Sequence, residues 1–240
     1  KIGGPADYFA TAANRQELVE LIRAAMRDEI SYLVIGSGSN LLFSDKGFRG
    51  LVIRNVSGDI LIDSDNSRIT ADSGVIVNLL VNTAISNGLA GMEDFLGIPG
   101  TVGGAIFNNS HHLDLLIGNF VETVDVMDQE GRLRKLNQAE CHFAYDYSIF
   151  HKTGETILSA VFRLKPGDPA ELAERAQKAV KRRRDTQPLE YPSSGCMFKN
   201  IGETNAVKYK IPEGTTAAGA LIDKAGCKGM KVGGAEVSHI

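Results

Sequence analysis

The stretch PSSGCMFKN, residues 192–200, places a thiol where it could act as an acid. Cys196 lies between a glycine and a Met-Phe-Lys-Asn run. A cysteine thiol has a pKa of about 8.5, so it gives up a proton far more readily than an aliphatic hydroxyl does. A small buried cysteine is the common alternative. The choice between these two readings depends on what the rest of the chain builds around Cys196.

A first glycine loop, residues 34–45 (VIGSGSNLLFSD), follows an apolar run. Its small residues from Gly36 to Asn40 allow a ligand to approach the backbone, and their N–H groups and hydroxyls can hold phosphate oxygens. No Gly-Lys-Ser/Thr follows as in a Walker loop, and Leu41 stands where a dinucleotide fingerprint has its third glycine. A tight turn between two strands explains this loop equally well.

A second glycine loop, residues 97–109 (GIPGTVGGAIFNN), has four glycines within eight residues. The run after Pro99 is typical of a helix start, and we expect its N–H groups to point outward, which suits an anion. Close helix packing at Gly103 and Gly104 is the alternative. Because each loop adjoins a strand, the two together favour a ligand with two or more phosphates that lies across two subdomains.

Periodicity and capping residues predict the elements that position these loops. Asn14 caps a helix and Glu17 occupies the capping-box position, and Gly88 ends a second helix. The predicted helices are residues 14–29, 75–88, 169–184 and a turn around 217–226. The predicted strands are 31–36, 51–55, 156–165, 196–200 and 230–240, with hairpins at 60–74 and 121–137.

Strands and helices mix without strict alternation, which indicates an α+β fold. We expect a first domain over 1–166, with subdomains of about 1–57 and 58–166, and a second over 167–240. The last predicted strand is cut by the chain end, so we expect that second domain to be incomplete. The net charge of −3 and 43% hydrophobic content are ordinary for a globular protein and favour neither nucleic acid nor a membrane. Three unpaired cysteines favour a reduced, cytoplasmic protein, and no spacing favours a metal.

The two glycine loops, in this order, resemble the FAD-binding domain of vanillyl-alcohol-oxidase-type flavoproteins. The opening KIGGPADYF and the stretches FAYDYSIF, PSSGCMFKN and AGCKGMKVGGAEVS narrow the resemblance to the shorter form of the UDP-N-acetylenolpyruvoylglucosamine reductase family. It implies bound FAD, NADPH as hydride donor, and reduction of the enolpyruvyl group of a UDP-sugar in peptidoglycan precursor synthesis. We expect a cytoplasmic monomer that binds a UDP-sugar and neither nucleic acid nor a membrane.

The resemblance assigns site residues by position. Cys196 replaces the usual serine of the family motif as the proton donor. Tyr145, Lys199 and Asn200 are expected to bind the UDP-sugar. The basic run KRRRD, residues 181–185, could meet its pyrophosphate, and Arg184 is the arginine of this run that we expect to bind substrate. A solvated helix end explains most of this run equally well. The expected FAD-binding residues are Gly36, Ser37, Gly38, Ser39, Asn40, Leu41, Gly97, Ile98, Pro99, Gly100, Thr101, Val102, Gly103, Gly104 and Ala105.

Two departures from the family pattern bear on activity. Asp146 stands where the family has an arginine beside the substrate carboxylate, and a carboxylate there is repulsive unless it is protonated or turned away. Tyr145, Tyr147 or an arginine elsewhere are candidates to compensate. The family's catalytic glutamate is expected beyond Ile240, and Glu236 does not take its place, so we expect an incomplete active site.

Two other functions stay open at this point. One is a flavin oxidase of the same superfamily with another substrate, which covalent flavin attachment would favour. The other is a non-catalytic module that binds flavin or UDP-sugar, which Asp146 and the missing glutamate would favour.

Overall fold

The computed structural model describes residues 3–112, 115–188, 190–193, 195, 198–202 and 216–239. The chain forms two compact units, Lys1–Arg183 and Arg184–Ile240. Mixed helices and antiparallel and parallel strands make the fold α+β, as the sequence predicts.

The described part of the chain contains six α-helices, fourteen strands and three 3-10 helices, Glu93–Phe95, Ile117–Asn119 and Ala139–Cys141. The helices are α1 Arg15–Arg27, α2 Val77–Ser86, α3 Val102–Phe107, α4 Phe150–Thr153, α5 Pro169–Thr186 and α6 Ala218–Lys224. The longer strands are β1 Ala6–Ala12, β2 Tyr32–Ile35, β3 Phe48–Asn55, β4 Ile60–Asp63, β5 Arg68–Asp72, β9 Val121–Met127, β10 Leu133–Asn137 and β11 Thr156–Arg163. The two-residue strands are β6 Leu89–Ala90, β7 His111–His112, β8 Leu115–Leu116, β12 Lys165–Pro166, β13 Lys231–Val232 and β14 Ala235–Glu236.

The first sheet is parallel, in the order β1-β3-β2, and carries the first glycine loop between β2 and β3. Helix α1 packs on it with Leu18 and Ile22 fully buried. Asn14 begins α1 as predicted, since its side chain accepts a hydrogen bond from the Glu17 N–H at 2.9 Å. The Glu17 carboxylate in turn accepts from the Ala13 N–H at 2.8 Å, which satisfies another donor at the helix start.

The second sheet is antiparallel, in the order β10-β9-β11-β5-β4, and contains both predicted hairpins. Glu122 on β9 joins the strands on this face, because it accepts hydrogen bonds from Arg68 on β5 and Arg163 on β11. These hydrogen bonds, from Arg68 first and then Arg163, lower the pKa of Glu122 to about 2.

Arg15 links the two halves of the first unit. Its guanidinium on α1 lies 3.0 Å from Asp72 at the end of β5 and 3.6 Å from Asp125 on β9. The Asp72 side chain is buried, so this ion pair supplies a charge that the carboxylate needs away from water. The pair therefore ties the first sheet's helix to the second sheet.

Helices α2, α3 and α5 contribute to one apolar core with the second sheet. Leu80, Phe95, Ile106 and Phe162 are fully buried in it, and Leu172 of α5 joins them. Since α3 lies against β5, β11 and α2, the core fixes the helix that carries the second glycine loop.

Two predicted strands of the second unit are wrong. Residues 198–200 adopt no strand, and the rest of that predicted strand, residues 196 and 197, lies outside the described residues. Residues 230–239 form a small hairpin, β13 paired with β14, because Gly233 at φ 57° turns the chain back. The predicted domain boundary near 166 stays a prediction.

Candidate functional site

The two glycine loops meet in the first unit. A Cβ added at Gly36 would overlap Thr101 Oγ1 and lie 2.8 Å from Thr101 Cγ2, and one at Gly100 would lie 3.1 Å from Ser39 Oγ. Gly100 also has a φ of 112°, a conformation that favours glycine. The structure thus brings Gly36 and Ser39 of one loop against Gly100 and Thr101 of the other.

The start of α3 is held by protein acceptors. The Val102 N–H donates to the Val75 carbonyl at 2.8 Å, and the Gly103 N–H donates to the Ser73 carbonyl at 2.8 Å. The expectation that the N–H groups at this helix start point outward toward an anion is therefore wrong for Val102 and Gly103. A Cβ at Gly103 would lie 2.9 Å from Ser73 Cβ, so Gly103 serves close packing.

Two other glycines leave open space instead. Nothing lies within 4 Å of a Cβ added at Gly38, and one at Gly104 would meet only Thr101 Oγ1, at 3.7 Å. Other exposed residues flank these openings, namely Ser37, Asn40, Leu41 and Pro99. The side chains of Ile98, Val102 and Ala105 are buried in the core and support the loop from beneath. Two bare backbone surfaces on touching loops fit a long phosphate-containing cofactor such as FAD.

Two residues beside the second loop escaped the sequence analysis. Asn78 of α2 accepts a hydrogen bond from the Gly97 N–H at 2.7 Å, which holds the loop at a glycine with φ 91°. Arg183 of α5 is buried, and its Cδ would lie 3.2 Å from a Cβ added at Gly97. A polar amide within the apolar run VNLLVN could have indicated that Asn78 makes a specific hydrogen bond. Nothing in KRRRD separates Arg183 from its neighbours.

Arg183 also affects His112 on β7. Burial first, and then the positive charge of Arg183, hold the pKa of His112 below its ordinary value. Burial likewise lowers the pKa of Arg183 itself. This side of the second loop therefore combines a buried guanidinium with an imidazole whose pKa is held below its ordinary value.

A group of aromatic and imidazole rings lies beyond the end of α3. Phe107 stacks on His151 with ring centroids 4.2 Å apart, and Tyr147 lies 5.7 Å from the same imidazole. The Ser148 hydroxyl donates to the Phe107 carbonyl at 2.6 Å, which ties the turn around Tyr145 to α3.

Tyr145 and Asp146 form the tip of that turn, which reciprocal Ala144–Tyr147 backbone hydrogen bonds close. The Tyr145 ring lies 4.6 Å from the ring of His111. Asp146 Oδ1 lies 3.4 Å from His111 Nδ1. The carboxylate that stands where the family has an arginine therefore faces an imidazole.

The remaining predicted residues belong to the second unit. Arg184, Lys199 and Asn200 are exposed there. Asn200 Oδ1 accepts a hydrogen bond from the Ala218 N–H at 2.9 Å, which satisfies a donor at the start of α6. Cys196 lies outside the described residues.

Among the described residues, no group of histidine, cysteine and carboxylate side chains could hold a metal ion. No helix in the same part of the chain is long and apolar enough to cross a membrane.

Comparison with known proteins agrees with this geometry. Residues 6–137 match the family model of an FAD-binding domain, and residues 187–240 match that of the C-terminal domain of UDP-N-acetylenolpyruvoylglucosamine reductase. Relatives with that reductase name include those of Clostridium novyi, 37% identical over 99% of this chain and 73% of the relative, and Heliobacterium modesticaldum, 39% identical over 100% and 73%.

Solved structures give the same picture. The UDP-N-acetylenolpyruvylglucosamine reductase of Thermus caldophilus superposes with a TM-score of 0.80 at 33% identity, over 99% of this chain and 80% of that one. A glucose oxidase, Phl p 4, has a TM-score of 0.54 at 16% identity over 70% of this chain and 36% of its own, a likeness of fold alone.

Proposed function

The chain belongs to the UDP-N-acetylenolpyruvoylglucosamine reductase family, and on this premise we propose which of its residues carry the family's reaction. The chain is an FAD- and NADPH-dependent oxidoreductase that reduces the enolpyruvyl group of UDP-N-acetylenolpyruvoylglucosamine in peptidoglycan precursor synthesis. The oxidase alternative has only a distant likeness of fold in its favour.

The contact between the two glycine loops carries the assignment of the FAD site. Gly38 and Gly104 offer bare backbone on either side of the Gly36–Thr101 contact. We assign FAD to this surface, with Ser37, Asn40 and Pro99 at its margin. The cofactor supplies hydride transfer from NADPH to the enolpyruvyl double bond when it is bound.

We add Arg183, which was not among the residues predicted from the sequence, to the residues of the proposed FAD site. Its buried guanidinium beside Gly97 is a fixed positive charge at the edge of the second glycine loop. Exposed Arg184 remains our candidate for the UDP-sugar, with Tyr145, Lys199 and Asn200. Asn200 would act in part by holding the start of α6, because its oxygen already accepts the Ala218 N–H.

Cys196 supplies the proton in this proposal, by its place in the PSSGCMFKN motif. The S–H bond breaks as a C–H bond forms at the carbon next to the one that receives hydride. The thiolate left on Cys196 then regains a proton from solvent. Cys196→Ser should retain turnover because a hydroxyl can take the same role, whereas Cys196→Ala should lose about a hundredfold or more. Full turnover by the alanine variant would rule out the donor role.

The experiment that tests the function as a whole separates its two halves. The purified protein should carry flavin and be yellow, NADPH should bleach the flavin absorbance, and UDP-N-acetylenolpyruvoylglucosamine should restore it. A colourless protein that takes up no FAD would refute the site. Reduction by NADPH without reoxidation by that substrate would instead support a non-catalytic module.

Two finer expectations stay proposals. We propose that the chain acts in the cytoplasm, in keeping with its three cysteines, and as a monomer. Light scattering at micromolar concentration would test the second of these.

A further inference from the structure

His111 on β7 and Asp146 in the turn between Ala144 and Tyr147 form a pair in the first unit. Their Nδ1 and Oδ1 atoms are 3.4 Å apart, and the side chains are 31% and 27% exposed, which leaves both within reach of a ligand. Asp146 has a φ of 49° at the tip of a turn closed by two backbone hydrogen bonds. This turn fixes the backbone of Asp146, whose carboxylate faces the imidazole.

Rings and charged groups from neighbouring elements surround this strand. Tyr145 covers one side of the imidazole with its ring. His112 follows on the same strand, and the charges of Arg183, Asp94, Arg182 and His111 act on it. Asp94 belongs to the 3-10 helix Glu93–Phe95, which packs against β7. The Asp146 carboxylate faces Nδ1 of the His111 imidazole, where it can accept a hydrogen bond from an Nδ1–H.

The ring geometry then leaves one donor for a ligand. Because Nδ1 faces Asp146, Nε2 lies on the opposite edge of the imidazole. A protonated His111 presents there a charged N–H, which suits a carboxylate or another oxyanion. Asp146 itself is negative and cannot bind an anion.

We propose that His111, oriented by Asp146, binds the carboxylate of the enolpyruvyl substrate through Nε2. The inference rests on the proposed function, since it assumes that substrate. The hydrogen bond stabilises negative charge that builds on the carboxylate as hydride adds to the double bond, and no proton is transferred by this contact. Asp146 is a positioning residue in this arrangement and His111 touches the substrate.

The test compares two ligands that differ by the lactyl carboxylate. Flavin absorbance of the holoenzyme would report binding of UDP-N-acetylmuramate and of UDP-N-acetylglucosamine at pH 6 and pH 8. His111→Gln should weaken the first ligand about tenfold or more and change the second by less than twofold. Asp146→Asn, an amide that tolerates the positive φ, should weaken the first ligand by a smaller factor.

The pH dependence separates a bound cation from a structural role. Histidine side chains ordinarily change charge between pH 5 and pH 8. In the unmodified protein, preference for the carboxylate ligand should therefore be greater at pH 6 than at pH 8, and in His111→Gln that difference should disappear. Equal loss of both ligands in His111→Gln, unchanged binding of both, or no carboxylate preference in the unmodified protein would each overturn the proposal. The proposed function fails by a different result, when the enolpyruvyl substrate does not reoxidise the reduced flavin.

Discussion

Gly103 and Gly104 are adjacent in the first turn of α3, yet the structure assigns them different purposes. A Cβ at Gly103 would press on Ser73, whereas one at Gly104 would enter open space. Substituting each by alanine therefore separates packing from ligand approach within one helical turn. Both changes give the same gain in helix propensity, so each variant is the control for the other.

The expected stabilities follow from these distances. Alanine in place of a helical glycine stabilises by about 0.5–1 kcal/mol, and Gly104→Ala should show that gain in the cofactor-free protein. For a chain of this size the gain corresponds to a rise in Tm of roughly 1–4 °C. Gly103→Ala should lose about 1–3 kcal/mol to overpacking at 2.9 Å from Ser73 Cβ, less the same propensity gain.

The Gly104→Ala substitution, which should stabilise the cofactor-free protein, should weaken its binding of FAD. If the cofactor covers this backbone, the added methyl group should weaken FAD about tenfold, and the rise in Tm that excess FAD causes should shrink accordingly. Differential scanning calorimetry of each variant with and without FAD measures both quantities. A Gly104→Ala protein that is more stable and binds FAD with unchanged affinity would refute our placement of the cofactor.

Three further predictions follow from the described contacts. Gly36→Ala should lower both stability and FAD affinity by forcing the glycine loops apart, and adding Thr101→Ala should recover part of the loss; independent, additive effects in a double-mutant cycle would contradict the contact. The pKa of Glu122 is lowered from 4.5 to about 2, so the stability that its carboxylate contributes is fully present above about pH 4.5 and is lost as the pH falls toward 2. The free energy of unfolding, measured with urea, should therefore decline less steeply over that range in Glu122→Gln than in the unmodified protein. Burial raises the pKa of Cys141 to about 12, so a thiol reagent should label Cys227 in the native protein and Cys141 only after unfolding, as peptide mapping would show.

Local patterns in the sequence predicted most of the first unit's elements. The Asn14 cap, the two antiparallel hairpins and the long helix after Pro169 all appear where periodicity and turn residues place them. These features depend on residues within a few positions of one another, so no tertiary information is needed. The strands predicted in the second unit failed because a short run of apolar residues, or a glycine pair within one, does not reveal where the chain turns back.

The features of the site also fall into those that local sequence predicts and those that only the tertiary structure shows. The sequence alone determined that two glycine-rich loops exist, that they match a flavin-binding family, and that Asp146 departs from its pattern. Only the tertiary structure decided that Gly36 meets Thr101, that Gly103 packs while Gly104 stays open, and that His111 faces Asp146. Such contacts join residues 30 to 65 positions apart, so they depend on how the sheets and the core bring distant segments together.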